Sequence, residues 1–445
     1  MKYFFMAALA LMTAACSNED NEITQQPQMV RGIPFTATLS MGNSAATRAL
    51  VEKGPTNDYP YGIIEATWET GDEVALIYTV GSTTYKKDVT VTPQANGTAT
   101  VSTTLEGNPQ DGSTLTIIYP ASAADKNATA NEYVKTDFLT GQDGTLAGIA
   151  ANFDVRTGKG YLSISDGKAT VNNGTAGTLV KLENQYAILK FTLQDIRGTA
   201  TDFKASELKV SSSTLNKSFS PSTASGEYYI ALPGQTVLNV GAYWLNATIG
   251  DKAYVGKLRI DPAFTLGKGK FYPTTVQMAT VGDYVLTSGK FAAATITENP
   301  VGDPVVAKIS YVVNPSNAAA NNHGLALALE DESPLAAGYG WQEAKELILS
   351  KCAPTSKTPV SDASWILPTK AQWGNMVGVN GAGSFAALRT LGLFSGYYYW
   401  TSTNYTEEGQ TETDADPWWI VDFLQNKWGH NNVYSDVSIR LGLAF

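Results

Sequence analysis

Few residues in this chain are of types that do chemistry, and the first is a cysteine. Cys16 follows Thr13, Ala14 and Ala15. Such small side chains fit a signal peptidase, and the thiol can then take a diacylglycerol thioether. Arg48 stands in a soft loop just before Ala49 and is a candidate point of trimming. The only other cysteine is Cys352, so a lipidated Cys16 leaves no internal disulfide. The two histidines, His323 and His430, belong to no H-E-x-x-H motif, and no G-x-S-x-G elbow or P-loop occurs. His323, beside Gly324 at a strand start, reads as structural. The glycine-rich run GVNGAG at 378–383 follows a helix instead of a strand and makes a poor nucleotide cradle. We therefore expect no enzyme.

Binding is the better-supplied chemistry. Residues 425–436, QNKWGHNNVYSD, mix flat aromatic area with adaptable hydrogen-bonding groups, as binding loops do. Trp428, His430, Asn431, Asn432 and Tyr434 are the candidate contacts. In the neighbouring segment 404–417, Glu407, Glu408, Glu412, Asp414 and Asp416 offer hard oxygens that could hold calcium, but they read first as a solvated acidic loop. No cofactor or metal site is expected.

The elements that must carry these residues follow from the patterning. Residues 3–15 are thirteen without a charge, after Lys2, too short to span a bilayer and the right length for a signal-peptide core. The acidic run SNEDNE cannot bury itself, so 16–31 reads as a solvated tether. IPFTATLSM alternates Ile33, Phe35, Ala37, Leu39 and Met41 with mostly small polar residues, predicting a half-buried strand. Pro34 predicts that this strand lies at a sheet edge or begins there. WETGDEVALIY from Trp68 is a turn feeding a strand, and LTIIYP from Leu115 is another. The style repeats over 181–280. From about Gly282 tryptophan becomes frequent and two helices are expected, one at 340–352, the other opened by a T-x-x-Q capping box at Thr369 and Gln372 and carrying Trp373, Met376 and Val377. Four strands surround them, the last at 438–445.

At 445 residues the chain holds two or three domains, and 16% charged residues with abundant Gly, Thr, Ser, Ala and Tyr is the balance of an exported β-protein. A net charge of -10 argues against nucleic acid and against adsorption to anionic lipid. Past the leader no apolar stretch is long enough to cross a membrane, so attachment would rest on lipid alone.

Several blocks carry a resemblance. IPFTAT from Ile33, ATRA at 46–49, W-x-x-G-D from Trp68, IYP from Ile118, QDGT from Gln142, L-x-N-x-x-A-I-L-K-F from Leu182, IALP from Ile230 and L-x-x-G-K-F-Y from Leu266 stand in the order found in fimbrillins, the type V pilus subunits. Residues 32–280 resemble that family. HGLAL from His323, WILPTKAQW from Trp365, YWTST from Tyr399, WIVDF from Trp419 and IRLGLAF from Ile439 make 283–445 resemble bacterial C-type-lectin-like domains, which share a fold with formylglycine-generating homologues. The latter use a cysteine pair, absent here. The calcium triplets E-P-N, Q-P-D and W-N-D are absent too.

The resemblance implies a mainly β fold: two tandem Greek-key, transthyretin-like sandwiches at 32–180 and 181–280, then an α+β C-type-lectin-like domain at 281–445. It also implies cutting by an arginine-directed protease between Arg48 and Ala49. Loss of the first strand would empty the seats of Ile33, Phe35, Leu39 and Met41, about 10 kcal/mol of burial against a whole domain's net stability of roughly 5–15 kcal/mol. A neighbouring fimbrial subunit's strand would fill the gap. Stalk fimbrillins resemble one another in a C-terminal donor strand, whereas 438–445 reads as domain core. The expectation is a fimbrial tip subunit and adhesin. It would be held at the outer face of the outer membrane by lipid before assembly and would bind a glycan or protein ligand. The alternative is a surface lipoprotein that does not polymerise.

Overall fold

The computed structural model describes residues 32–41, 50–54, 63–173, 179–198, 203–298, 300–319, 322–331, 364–394, 396–404, 418–430 and 437–445. The chain is mainly β. A ten-stranded sheet runs in the order Thr83–Thr90, Glu73–Val80, Thr114–Tyr119, Arg156–Ser165, Lys168–Asn172, Ile33–Ser40, Thr98–Leu105, Thr92–Pro93, with Leu179–Lys181 joining Ile33–Ser40 and Glu183–Asn184 joining Arg156–Ser165. The sheet wraps round one core. Its distant parts meet where Glu106 N donates to the Tyr78 hydroxyl at 2.8 Å and Lys87 pairs with Glu106 at 3.2 Å.

The W-x-x-G-D block is a turn feeding the strand Glu73–Val80, as its residues predict. Gly71 takes φ +96°, open to glycine and rarely to others. Buried Asp72 accepts from Glu69 N at 2.8 Å and from the Tyr119 hydroxyl at 3.1 Å, and Trp68 packs edge-on against Tyr119.

A seven-stranded sheet follows: Asn216–Phe219, Glu207–Ser211, Gly241–Ile249, Lys252–Ile260, Phe271–Ala279, Tyr186–Asp195, Glu227–Pro233. The first core also takes in Tyr186, Ile188, Tyr229, Ala231 and Phe271, so side chains are shared across residue 180. QDGT makes the join. The buried Gln142 amide donates to Ala231 O and accepts from Ala231 N, both at 2.8 Å, and so acts as a main-chain partner for the IALP strand.

The last segment forms a six-stranded sheet (Phe291–Ala292, Tyr284–Leu286, Val305–Val312, Gly324–Ala328, Gly442–Ala444, Ser364–Ile366) and a four-stranded one (Lys427–His430, Trp418–Asp422, Tyr398–Asn404, Val437–Ser438). The T-x-x-Q box opens the helix Lys370–Met376 with both reciprocal bonds formed, and Trp373 and Met376 are buried. The expected helix at 340–352, with Cys352, lies outside the described residues. The six-stranded sheet packs on the outer face of the second: Trp244, Ala253, Val255 and Ala279 share a core with Ala307, Ile309, Leu443 and Phe445. His323 is structural, as expected. It is fully buried, stacks on Trp244 at 4.9 Å, and its Nδ1 lies 2.8 Å from Asn246 Oδ1. Asn246 Nδ2 donates to Val313 O and His323 O, so Oδ1 is the acceptor and the histidine Nδ1 carries the proton.

Candidate functional site

Two places answer to the functional residues read from the sequence. The first is the seat of the strand Ile33–Ser40. Phe35, Ala37, Leu39 and Met41 are buried, while Ile33 is half-buried against the same core. The strand pairs antiparallel with Thr98–Leu105 over its whole length, from Ile33↔Leu105 to Ser40↔Thr98. On its other side it runs parallel to Lys168–Asn172, at Phe35↔Ala169, and to Leu179–Lys181, from Thr38↔Leu179 to Ser40↔Lys181. The strand is thus interior, not an edge. Pro34 precedes Phe35, the first residue with a partner on the parallel side, so its missing N–H forfeits no bond there.

A buried ion pair grips the end of this strand. Arg156 donates from a terminal nitrogen to Met41 O at 2.7 Å and from Nε to Asp154 Oδ1 at 2.9 Å, and the Tyr186 hydroxyl donates to the same carboxylate oxygen at 2.7 Å. Burial works against the guanidinium charge, but Asp154 outweighs it, so the Arg156 pKa lies above its ordinary value. Burial, then the Asp154 charge, pushes the Tyr186 phenol well up.

The chain regains its hold directly after Ala49. Leu50 is buried in the first core, and Val51–Lys53 pairs with Ile63–Glu65. Glu52 takes both oxygens to Lys190 Nζ at 2.9 Å and also accepts from Tyr229; Lys190 pairs with Glu227 as well. Burial opposes the Lys190 charge, yet its bonds to Glu227 and Glu52 raise its pKa. Arg48 and Ala49 themselves, like Cys16, lie outside the described residues. In sequence they fall between the strand Ile33–Ser40 and a segment tied to the first core by Leu50 and to the second sheet by Glu52.

The second place is the aromatic end of the four-stranded sheet. Trp428 and His430 sit on Lys427–His430, paired with Val421 and Trp419. Trp428 is half-buried, edge-on to Phe385 at 5.7 Å; His430 is exposed, edge-on to Trp419 at 6.0 Å. Lys370, at the start of the capped helix, places Nζ 3.2 Å from the Trp419 ring centre and 5.5 Å from that of Trp428. Burial lowers the Lys370 pKa. The two indoles therefore already hold a cation, which a ligand stacking there would displace or share. Asn431, Asn432 and Tyr434, and the acidic residues 407–416, lie outside the described residues. Among the described residues no cluster of three His, Cys, Asp or Glu is placed to hold a metal.

Sequence reasoning missed Arg156, Asp154 and Tyr186 at the first place, and Lys370 and Trp419 at the second. A D-x-R pair heading a glycine-punctuated strand was the available signal for the first, since charge is scarce in this chain. For Lys370 there was none beyond its place next to the cap.

No protein-family model matches the chain, and no curated protein does. Among solved structures it is similar to a proposed cell adhesion protein of Bacteroides ovatus at 14% identity and a TM-score of 0.32, covering 60% of this chain and 99% of that one. A proposed cell adhesion protein of Bacteroides fragilis gives 12% identity and a TM-score of 0.29 over 60% of this chain and 99% of its own. The minor pilin of Streptococcus agalactiae gives 10% and 0.18 over 55% of this chain and 95% of its own. The functional reading rests on this chain's own geometry.

Proposed function

We propose that this is a cell-surface adhesive pilus subunit that surrenders its first strand and receives a neighbour's in its place. The carrying observation is the position of Ile33–Ser40 between Thr98–Leu105 on one side and Lys168–Asn172 with Leu179–Lys181 on the other. Departure of an interior strand leaves two facing edges and a row of apolar seats. Main-chain bonds from both edges would hold an incoming strand, and alternate side chains would fill the seats of Phe35, Ala37, Leu39 and Met41. One cut between Arg48 and Ala49 suffices to free the strand, because Leu50 and Glu52 keep the remainder anchored. The subunit would arrive at the outer membrane on a lipid at Cys16 and join other fimbrial subunits.

Gly442–Ala444 lies between Gly324–Ala328 and Ser364–Ile366 in its own sheet. That placement supports a terminal position in the fibre, since these residues are not free to be donated. The final segment, read as C-type-lectin-like, would serve as the adhesin, meeting a glycan or protein through Trp428, His430 and the adjoining 431–434. Mass spectrometry of the subunit from assembled surface fibres tests this: the expected N-terminus is Ala49, with residues 33–41 missing and a foreign strand in contact with 98–105. An intact first strand in assembled material overturns it.

The grip of Arg156 on Met41 O favours a second reading, in which the strand is permanent and the protein is a surface lipoprotein that does not polymerise. The same N-terminal analysis separates the two.

A further inference from the structure

Segments distant in sequence enclose a cavity of about 390 Å³ where the first core meets the second sheet. Segment 130–139 forms one wall. Tyr133 N donates to Ala128 O at 2.8 Å and Lys135 N to Ala123 O at 2.9 Å, which folds the segment back on itself. Glu132 and Tyr133 take φ +53° and +67°, left-handed backbone that residues other than glycine seldom adopt. A second wall is Pro233 and Gly234 with Lys268. Gly234 N donates to Gln185 O at 2.9 Å, and a Cβ on Gly234 would stand 3.0 Å from Lys268 Cα, so the two stretches close up because residue 234 has no side chain. Much of the lining is apolar: Val155 and Tyr186 are buried, and Val134, Phe138 and Leu139 are half-buried. Small-molecule sites run from about 300 to 1,000 Å³, so the space suits a compact apolar body and is oversized for a bare ion.

The polar groups of the lining are mostly spoken for, and what they leave over is positive charge. The Tyr186 hydroxyl is committed to Asp154 Oδ1 at 2.7 Å, so this residue offers the cavity its ring. Gln185 donates from Nε2 to Glu183 O at 2.9 Å and accepts from Lys268 Nζ at 2.6 Å. Glu132 is the one carboxylate among the described lining residues, and Lys159 pairs with it at 2.8 Å. That bond, with the charge of Lys268 nearby, holds the Glu132 carboxyl below its ordinary value. Lys268 itself meets a neutral amide, and Lys135 forms no ion pair among the described residues; both are exposed at the rim. Three ammonium groups thus stand against a single carboxylate beside an apolar recess, in a chain whose net charge is -10.

We infer that this cavity binds an amphiphilic acid, a small molecule with an apolar body and one carboxylate. The body lies on Tyr186, Val155 and Phe138, and the carboxylate faces Lys135 and Lys268. Such a ligand touches the residue that completes the grip of Asp154 and Arg156 on Met41 O. The site belongs to the intact chain and does not depend on strand exchange, so either idea can fail without the other. The test is calorimetry on the full chain with decanoate, 2-naphthylacetate, the neutral 2-naphthylacetamide and acetate. At least one of the two amphiphilic acids should bind saturably, and which one binds tells an alkyl from an aromatic body. The amide should bind more weakly than its acid, and acetate should not bind. Hydrogen exchange with the bound acid present should slow at 130–139 and 185–186. Substituting both rim cations, Lys135→Gln with Lys268→Gln, should weaken the acid roughly two- to thirtyfold, the range for two exposed charge pairs, and should leave the amide unaffected. Both positions are exposed, and thermal unfolding of the free variant checks that it is folded. Four results overturn the inference: no binding of either amphiphilic acid, amide binding as tight as that of its acid, an affinity in the double variant within twofold of the original, or protection that falls outside the two lining segments.

Discussion

Replacing Arg156 by methionine should loosen the first strand more than anything else in the molecule. The change keeps much of the side-chain volume but removes the charge. Asp154, itself buried, then keeps only the Tyr186 hydroxyl, and Met41 O loses its donor at 2.7 Å. Breaking a buried pair by removing one partner costs roughly 3–5 kcal/mol, much of it from the stranded charge. Asp154→Asn combined with Arg156→Met removes that charge as well and should cost less than R156M alone. The readout is hydrogen exchange of residues 33–41, followed by mass spectrometry, beside thermal unfolding of the same samples. A loss near 3 kcal/mol corresponds to exchange about a hundredfold faster in that segment. If R156M lowers the melting temperature but leaves exchange at 33–41 no faster than elsewhere in the first sheet, Arg156 supports the core and does not hold the strand. A double variant as unstable as R156M would equally refute the stranded-charge account.

Gln142→Leu leaves Ala231 N and Ala231 O buried without their partner, and should destabilise by roughly 2–6 kcal/mol, about 1–3 for each stranded group, read by chemical denaturation. Gly381→Ala places a Cβ 2.0 Å from Met376 O, which is main chain and cannot swing aside, so the variant should lose roughly 1–3 kcal/mol and unfold at lower temperature. Alkali should unfold the protein through its tyrosines. Burial raises Tyr186, Tyr228 and Tyr229 above the ordinary 10.0, so their contribution is complete below pH 10 and is lost as pH climbs toward the folded values. Tyrosinate absorbance should show a late fraction that ionises together with loss of β circular dichroism, and a titration completed with the fold intact would contradict this.

What was legible in the sequence was local. The alternation of Ile33, Phe35, Leu39 and Met41 gave both the strand and its buried face, because side-chain direction repeats every two residues whatever the sheet does elsewhere. The capping box at Thr369 was equally readable, since its bonds close within four residues. Pro34 left open an edge strand or a strand start; it stands at the start, second in Ile33–Ser40, while the interior position is set by segments more than a hundred residues away, such as Leu179–Lys181. The Arg156 grip was hidden for the same reason, for its partners Met41 and Tyr186 are distant in sequence and meet only once the sheet has closed. Trp428 was readable as an aromatic contact, but in a loop, whereas it lies on the strand Lys427–His430. The cation beside it was not readable, because Lys370 comes from another element.

The anchors sort the molecule by what can leave. Gln142 binds the first unit to the strand Glu227–Pro233, and Glu52 reaches Lys190 on the second sheet. Trp244 stacks on both His323 and Phe445 and so joins the second sheet to the third. Each of these ties is a buried or half-buried polar bond or ring contact lying downstream of residue 49. The strand Ile33–Ser40 has a large share of burial too: Phe35, Leu39 and Met41 at roughly 1.5–3 kcal/mol each come to about 5–9 kcal/mol. Yet its covalent connection to the rest runs only through residues 42–49. A loss of that size is comparable to a domain's net stability, so simple dissociation would be slow and would leave an opened core. For the proposed exchange, replacement would be the easier route, in which an incoming strand would take each pair on the Thr98–Leu105 edge as the resident one yielded it. Such an exchange preserves burial throughout, and it requires of the newcomer only alternating apolar residues and, at the Met41 position, a main-chain carbonyl for Arg156.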